Sequence, residues 1–390
     1  MNATTSLLRK QRGHDSAKVG MVELFFDLVF VFAVTQLSHT LLADLGFGNA
    51  VRVAMLLLAV WWVWIYTSWV TNWLDPERLP VRACLFVLML AGLLLSVSIP
   101  EAFQSRGLVF AGAYAFMQVG RTAFSWWAVR HEEIARVRNF QRILAWLGFS
   151  AVFWILGGLA DGEARLGWWA LALLIEFVSP IAFFWTPGLG RSSLSDWDVE
   201  GAHMAERCAL FIIIALGESL LVTGATFAEL RWDVETLLAF FSAVLGSILM
   251  WWIYFDTGAE RAEHRITHSR DPGKHARRAY TYLHTLIVGG IIVSAVADEV
   301  VLMHPHHGEG AAMATILVGP ACYLTGTALF KWSTSDRATP PLSHIAGLTL
   351  LGAIALAVVP MHLSPLMAGM ATTVALSIVA AWESLALRRA

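Results

Sequence analysis

Charge is scarce in this sequence: only 14% of its 390 residues are Asp, Glu, Lys or Arg, against about a quarter in an ordinary soluble protein. With 57% hydrophobic residues beside that deficit, a water-soluble fold is excluded. A surplus of either sign is lacking too. The 27 basic residues meet 29 acidic ones, so nothing points to nucleic acid as a partner. Cysteine is rare, and Cys84, Cys208 and Cys322 sit singly inside apolar runs without metal or disulfide spacing. There is no phosphate-binding loop, no Gly-x-Ser-x-Gly and no His-Glu-x-x-His, and no cofactor is expected. His304-Pro-His-His307 lacks a fixed fourth ligand and reads as a loop rather than a metal site.

What the chain has instead is apolar runs long enough to cross about 30 Å of hydrocarbon. Twelve are read, over 22–44, 50–73, 80–100, 107–129, 140–160, 166–186, 203–228, 234–256, 280–303, 311–332, 341–361 and 365–386. Runs such as Leu85 to Ser96 are continuously apolar rather than alternating, so they predict helices that satisfy their own backbone and exclude a barrel. The fold expected is all-α, a polytopic membrane helix bundle. Sorting the basic residues into alternate loops puts 21 of the 27 on the side of both termini, four opposite, and Arg121 and Arg207 inside spans. The positive-inside rule then places both termini in the cytoplasm of an inner-membrane protein.

The stretch Pro187 to Ser195 is the best linker, and it divides the chain. The divisions expected are a cytoplasmic segment over 1–21, a six-helix half over 22–186, a cytoplasmic linker over 187–202 and a second half over 203–390. The halves share weak matches in order. Gly92 and the run Ser96 to Glu101 align with Gly290 and Ser294 to Glu299 at an offset of 198; Trp64-Ile-Tyr66 aligns with Trp252-Ile-Tyr254 at 188; Gly120, Phe124 and Trp126 align with Gly326, Phe330 and Trp332 at 206. Two parallel pseudo-repeats of six helices are expected, an arrangement some secondary transporters use.

Ionisable groups inside spans are expensive and mark where function is sought. Glu23 and Asp27 lie at i, i+4 in span one, with Gln36 and His39 further along it. Span seven carries His203, Glu206, Arg207 and, deeper, Glu218 beside Ser219; Asp27 and Arg207 are expected at similar depths. Arg121 in span four and Glu176 in span six complete the set. Glu23, Glu206 and His203, near the cytoplasmic ends, are read first as structural; the deeper Asp27, Arg121, Glu176 and Glu218 are read as a polar pathway. The long basic loop from Asp256 to Ala279 is expected to touch anionic lipid headgroups.

The block Glu23-Leu-Phe-Phe-Asp-Leu-Val-Phe, continuing to His39, resembles the opening of the bacterial low temperature requirement protein A family. The run His203 to Ser219 and the Trp-rich end of span two resemble it as well, so the likeness covers most of the chain. The resemblance implies a multi-pass inner-membrane protein of a family named for growth in the cold. It singles out Glu23, Asp27, Gln36, His39, His203, Glu206, Arg207, Gly217, Glu218 and Ser219. The function expected is transport of a small solute or ion, with protons as the coupling ion. The alternatives are a noncatalytic membrane factor or sensor for growth in the cold, or an integral-membrane enzyme, and no catalytic residue is assigned.

Overall fold

The computed structural model describes residues 6–9, 18–193, 200–256, 277–308, 310–335 and 338–387, without the side chains of 277, 278 and 387. Most of the expected N-terminal segment, the centre of the 187–202 linker and most of the basic loop from Asp256 to Ala279 lie outside those residues. The described chain is helical, with isolated bridges such as Leu8 to Leu74 and no β-strand among the described residues. Each apolar run closes its backbone hydrogen bonds on itself, as a chain in hydrocarbon must.

The helices are α1 Met21–Ala43, α2 Phe47–Trp73, α3 Leu79–Ser98, α4, α5 Ile134–Leu159, α6 Gly162–Ile181, α7 Gly201–Glu229, α8 Val234–Tyr254, α9 His284–Met303, α10 Ala311–Ser333, α11 Leu342–Val358 and α12 Pro365–Leu387. Helix α4 is made of Gly107–Ala115 and Arg121–Ala128 joined by the π turn Phe116–Gly120. Among the described residues, ten helices are long and apolar enough to cross a membrane. The two outside that set are α4, which its π turn divides, and α11, which has 17 residues. A second π turn, Arg277–Leu283, leads into α9. Asp233 caps α8 by accepting from the Thr236 backbone N–H at 2.8 Å, and that bond holds its carboxyl below the usual aspartate range.

The chain gathers into two compact units, Met1–Leu37 with Arg52–Met204, and Ser38–Val51 with Ala205–Ala390. In the first, α2 is the enclosed helix. Every residue from Ala59 to Asn72 is buried, and Trp62 stacks on Phe177 of α6 at 4.0 Å between ring centroids. The Trp cluster of span two therefore packs against helices rather than forming an interfacial belt. A Cβ at Gly92 of α3 would fall 3.1 Å from Val29 of α1 and 3.4 Å from Met117 of α4, so a small residue sets that approach.

In the second unit the enclosed helix is α9, in which no residue from His284 to Leu302 is exposed. It packs along α10 through glycines on both sides. A Cβ at Gly290 would run into the backbone of Tyr323, one at Gly326 would lie 2.9 Å from the Ile287 nitrogen, and one at Gly319 would lie 2.6 Å from the Ser294 hydroxyl. No side chain fits at those contacts. An apolar cluster of Ala297, Val301, Leu302, Met313, Ile316 and Leu366, with Phe227 and Phe240 against it, closes one end of this unit.

Candidate functional site

The most completely built polar site lies inside the first unit and centres on Glu176 of α6. Its Oε1 accepts from the Ser150 hydroxyl at 2.6 Å and the Trp154 indole N–H at 2.9 Å, both on α5. Its Oε2 accepts from the Tyr114 hydroxyl at 2.5 Å and the Gln118 amide at 2.9 Å, both on α4. The carboxylate thus has four donors. The carbonyl end of Gln118 accepts from the Arg121 guanidinium, which also donates to Val63 O and to Thr67 Oγ1 at 3.1 Å each, both on α2, and lies over the Tyr66 ring. Tyr114, Gln118, Arg121, Ser150, Trp154 and Glu176 are all buried.

Local structure makes this relay possible. Along an uninterrupted α-helix Tyr114, Gln118 and Arg121, at i, i+4 and i+7, would share one face. The π turn adds a residue to one turn, which displaces the following residues by about 100° around the axis. Tyr114 and Gln118 reach α5 and α6 while Arg121 reaches α2. Gln118 bridges an anion and a cation that do not touch, giving a charged group at each end and a neutral amide between them near the middle of α4.

A second polar centre joins the start of α1 to the start of α7 within the same unit. Glu23 Oε2 accepts from Arg9 at 2.7 Å and from the Gly20 N–H at 2.8 Å, and Glu23 Oε1 lies 2.9 Å from His203 Nε2. Asn72 Nδ2 donates to Glu200 O and lies 3.2 Å from His203 Nδ1, while Asn72 Oδ1 accepts from Glu200 N. The tautomer follows from these partners: Nδ1 accepts from the amide, so Nε2 carries the hydrogen given to Glu23. The 3.1 Å approach of Arg9 to that same Nε2 sets two donors side by side and is no hydrogen bond. Arg9 also donates to Thr71 O of α2, and its segment pairs just beyond the end of that helix at the Leu8 to Leu74 bridge.

The other singled-out residues are placed separately. Asp27 is buried and accepts from the Trp64 indole N–H at 2.8 Å. On α1, Gln36 is half-buried and His39 exposed, and about 24 Å of helix separates His39 from Glu23. On α7, Glu206 is exposed, Gly217 half-buried, and Arg207 and Glu218 buried. The Ser219 hydroxyl meets that of Ser247 on α8 at 3.2 Å. Glu23 and His203 are therefore brought together, as are Arg121 and Glu176 through Gln118. Asp27 belongs to the first unit and Arg207 to the second.

One further centre contains none of the residues singled out from the sequence. In the second unit Glu383 of α12 pairs with Lys331 of α10, accepts from Ser343 at 3.0 Å and lies 3.1 Å from His344 Nδ1, both on α11. Lys331 donates further to Ile253 O on α8 at 2.8 Å. A signal existed, because Glu383 is as costly inside the run 365–386 as Glu176 is inside 166–186. His284 of α9 is another: it is buried, lies 2.7 Å from the Tyr254 hydroxyl and packs against Phe330. Among the described residues no group of three or more His, Cys, Asp or Glu could hold a metal ion.

Comparison with known proteins agrees with the likeness read from the two motif blocks. An uncharacterized protein of Rhizobium meliloti (strain 1021) is 42% identical over 390 residues, covering 98% of this chain and 93% of its own length. No solved structure matches the chain. The family model described as bacterial low temperature requirement A protein matches residues 18–381, which takes in all twelve helices except the last residues of α12. With α1 carrying the Glu-Leu-Phe-Phe-Asp block and α7 the His203 to Ser219 block, this chain is a multi-pass helical membrane protein that belongs to the bacterial low temperature requirement A family.

Proposed function

We propose that this protein moves a small solute or ion across the bacterial inner membrane, with protons as the coupling ion. The observation that carries the reading is the Arg121–Gln118–Glu176 relay. An ion-bearing chain kept at the middle of a helix, where the α ladder gives way to a π turn, is costly to hold and is frequent at functional sites. Asp27 and Gln36 would be further polar-pathway residues of the first unit, and His39, Glu206, Arg207, Glu218 and Ser219 would be those of the second. Glu23 and His203, bonded to Arg9 and Asn72, would hold the helix ends in place. The test is uptake by membrane vesicles with and without the protein, comparing solutes without preselection, followed by proteoliposomes containing a pH-sensitive dye. A solute gradient should drive dye acidification or alkalinisation only where the protein is present.

The arrangement proposed is twelve crossings in two parallel copies of six helices, with both termini in the cytoplasm. Two pairs of contacts, each within its own unit, support the duplication. Gly92 approaches Met117 in the first unit and Gly290 approaches Tyr323 in the second; Met117 and Tyr323 differ by 206, the offset that aligns Gly120 with Gly326. The polar centres also follow one helix order. Arg121 on α4 donates to a carbonyl of α2 while Ser150 on α5 donates to Glu176 on α6. Lys331 on α10 donates to a carbonyl of α8 while Ser343 on α11 donates to Glu383 on α12. Reporter fusions at residues 1 and 390 and in the loops near 47 and 307 test the topology, and a periplasmic C-terminus would overturn it. The basic loop between α8 and α9 would then face anionic lipid.

One observation favours a second reading, a noncatalytic membrane factor for growth in the cold: the four donors around Glu176 leave that carboxylate fully satisfied, as a structural group would be. If vesicles and proteoliposomes show no flux while loss of the protein still impairs cold growth, this reading replaces transport. An enzyme would need His39 or His203 to converge with a carboxylate beside open space. His203 is closed in by Glu23 and Asn72, and His39 lies far along α1.

A further inference from the structure

Among the carboxylates inside the helices, Glu23, Asp27, Glu176 and Glu383 each have named donors, and Glu299 accepts from Thr226 at 3.3 Å. Asp298 of α9 is different. It makes no hydrogen bond or ion pair with any described residue, and burial is what acts on it. It is half-buried on a helix with no exposed residue from His284 to Leu302. On the same face one turn earlier, Ser294 is buried with a hydroxyl that finds no partner. Ser294 lies at one of the close approaches of α10, at Gly319. The next residue of α10 is Pro320, which has no N–H to give to the carbonyl of Ile316. A carboxyl group and a buried hydroxyl thus stand without hydrogen-bond partners among the described residues, one turn apart on α9 and beside Pro320 of α10. Toward one end, Ala297, Val301 and Leu302 belong to the apolar cluster with Met313 and Ile316.

We propose that Asp298 is a proton-binding site of the second unit. An ionised carboxylate there would have neither donor nor counter-charge, and a bound proton removes that cost. The position has no counterpart in the first half, where the aligned residue is Pro100 and the neighbouring Glu101 accepts from Ser105 and lies 3.8 Å from Arg106. Proton exchange is therefore placed in the second unit, at a carboxyl without donors, whereas the carboxyl of Glu176 in the first unit has four. Proton binding at Asp298 is measurable whether or not the protein transports anything, so its failure is distinct from failure of the transport reading.

The test uses the full-length protein in detergent and N,N′-dicyclohexylcarbodiimide, which reacts with the protonated carboxyl: the carboxyl oxygen bonds to the central carbon and the proton passes to a nitrogen. Peptide mass mapping should find the adduct on Asp298. Its formation rate should fall about tenfold per pH unit once the carboxyl is mostly ionised. Asp298→Asn should abolish the adduct on that peptide and keep thermal stability near wild type, because the site already accommodates a neutral group. Infrared difference spectra between wild type and Asp298→Asn should contain a protonated-carboxyl band at neutral pH. The proposal is overturned if that band is absent and the residue stays unlabelled, or if labelling does not change with pH. Protection by sodium but not potassium would make Asp298 a metal-ion ligand and overturn the proton assignment.

Discussion

Glu176→Gln tests how the relay holds charge, and its cost can be worked from the contacts. One oxygen survives and still accepts from Ser150 and Trp154. The other becomes an NH2 facing the Tyr114 hydroxyl and the Gln118 amide. Tyr114 can turn its hydroxyl to accept. Gln118 cannot escape: unflipped, its NH2 meets another donor, and flipped, its NH2 meets Arg121. One buried donor is stranded either way, at about 1–3 kcal/mol. Arg121 also loses its nearest anion, which brings the total toward about 3–5 kcal/mol, the range for breaking a buried pair. Ser150→Ala removes one of four donors and should cost about 1 kcal/mol. Arg121→Gln should cost about as much as Glu176→Gln, and the double variant about 1–3 kcal/mol less than their sum. Reversible unfolding of the purified protein in mixed micelles titrated with dodecyl sulfate measures all four. A Glu176→Gln protein within about 1 kcal/mol of wild type, or strict additivity in the double variant, would refute the view of Glu176 and Arg121 as one charge-balanced unit.

Three further outcomes are expected. Glu218→Gln should accumulate in the membrane and melt near the wild-type temperature while losing transport or cold growth, since a proton-carrying group must tolerate its neutral form; full activity or failure to accumulate counts against that role. Asn72→Ala removes the two bonds to Glu200 and the one to His203, and should cost about 2–3 kcal/mol at about 1 kcal/mol per bond, seen as faster proteolysis just before α7. For Asp233, the carboxyl is lowered by the Thr236 N–H, so its contribution is fully present above the ordinary aspartate range and fades as pH falls through the lowered value; Asp233→Asn should keep the cap and flatten that acid limb in thermal melts.

The helices were legible because hydrocarbon leaves the backbone no alternative. Apolar runs read over 107–129 and 311–332 correspond to Gly107–Ala128 and Ala311–Ser333 within a residue or so. Part of the candidate site was legible on the same physics of cost, which is why Arg121 and Glu176 stood out while Gln118 between them did not. A neutral amide in an apolar helix raises no alarm, and its bridging role depends on a π turn that periodicity does not reveal. Lys331 stands at the very end of the apolar run 311–332, yet it reaches back to Ile253 and Glu383. The length of a lysine stem lets its head sit a turn away from where its Cα is read. From its place at the start of span seven His203 reads as a surface-near residue, but the segment around Arg9 folds over it and Glu23, a long-range contact that no local pattern encodes.

The π turn of α4 also limits how this helix can vary in length. Deleting one residue between Phe116 and Gly120 would restore a regular ladder and, by itself, cost little backbone energy. It would also swing the Arg121–Ala128 segment back by about 100° relative to Gly107–Ala115, taking the guanidinium away from Val63 and Thr67. A compensating insertion elsewhere in the helix would not restore the bridge, since Gln118 must stay within reach of both ends. Among relatives, α4 should therefore resist single-residue gaps far more strictly than its neighbours, and any relative that has lost one there should have lost Gln118, Arg121 or Glu176 as well.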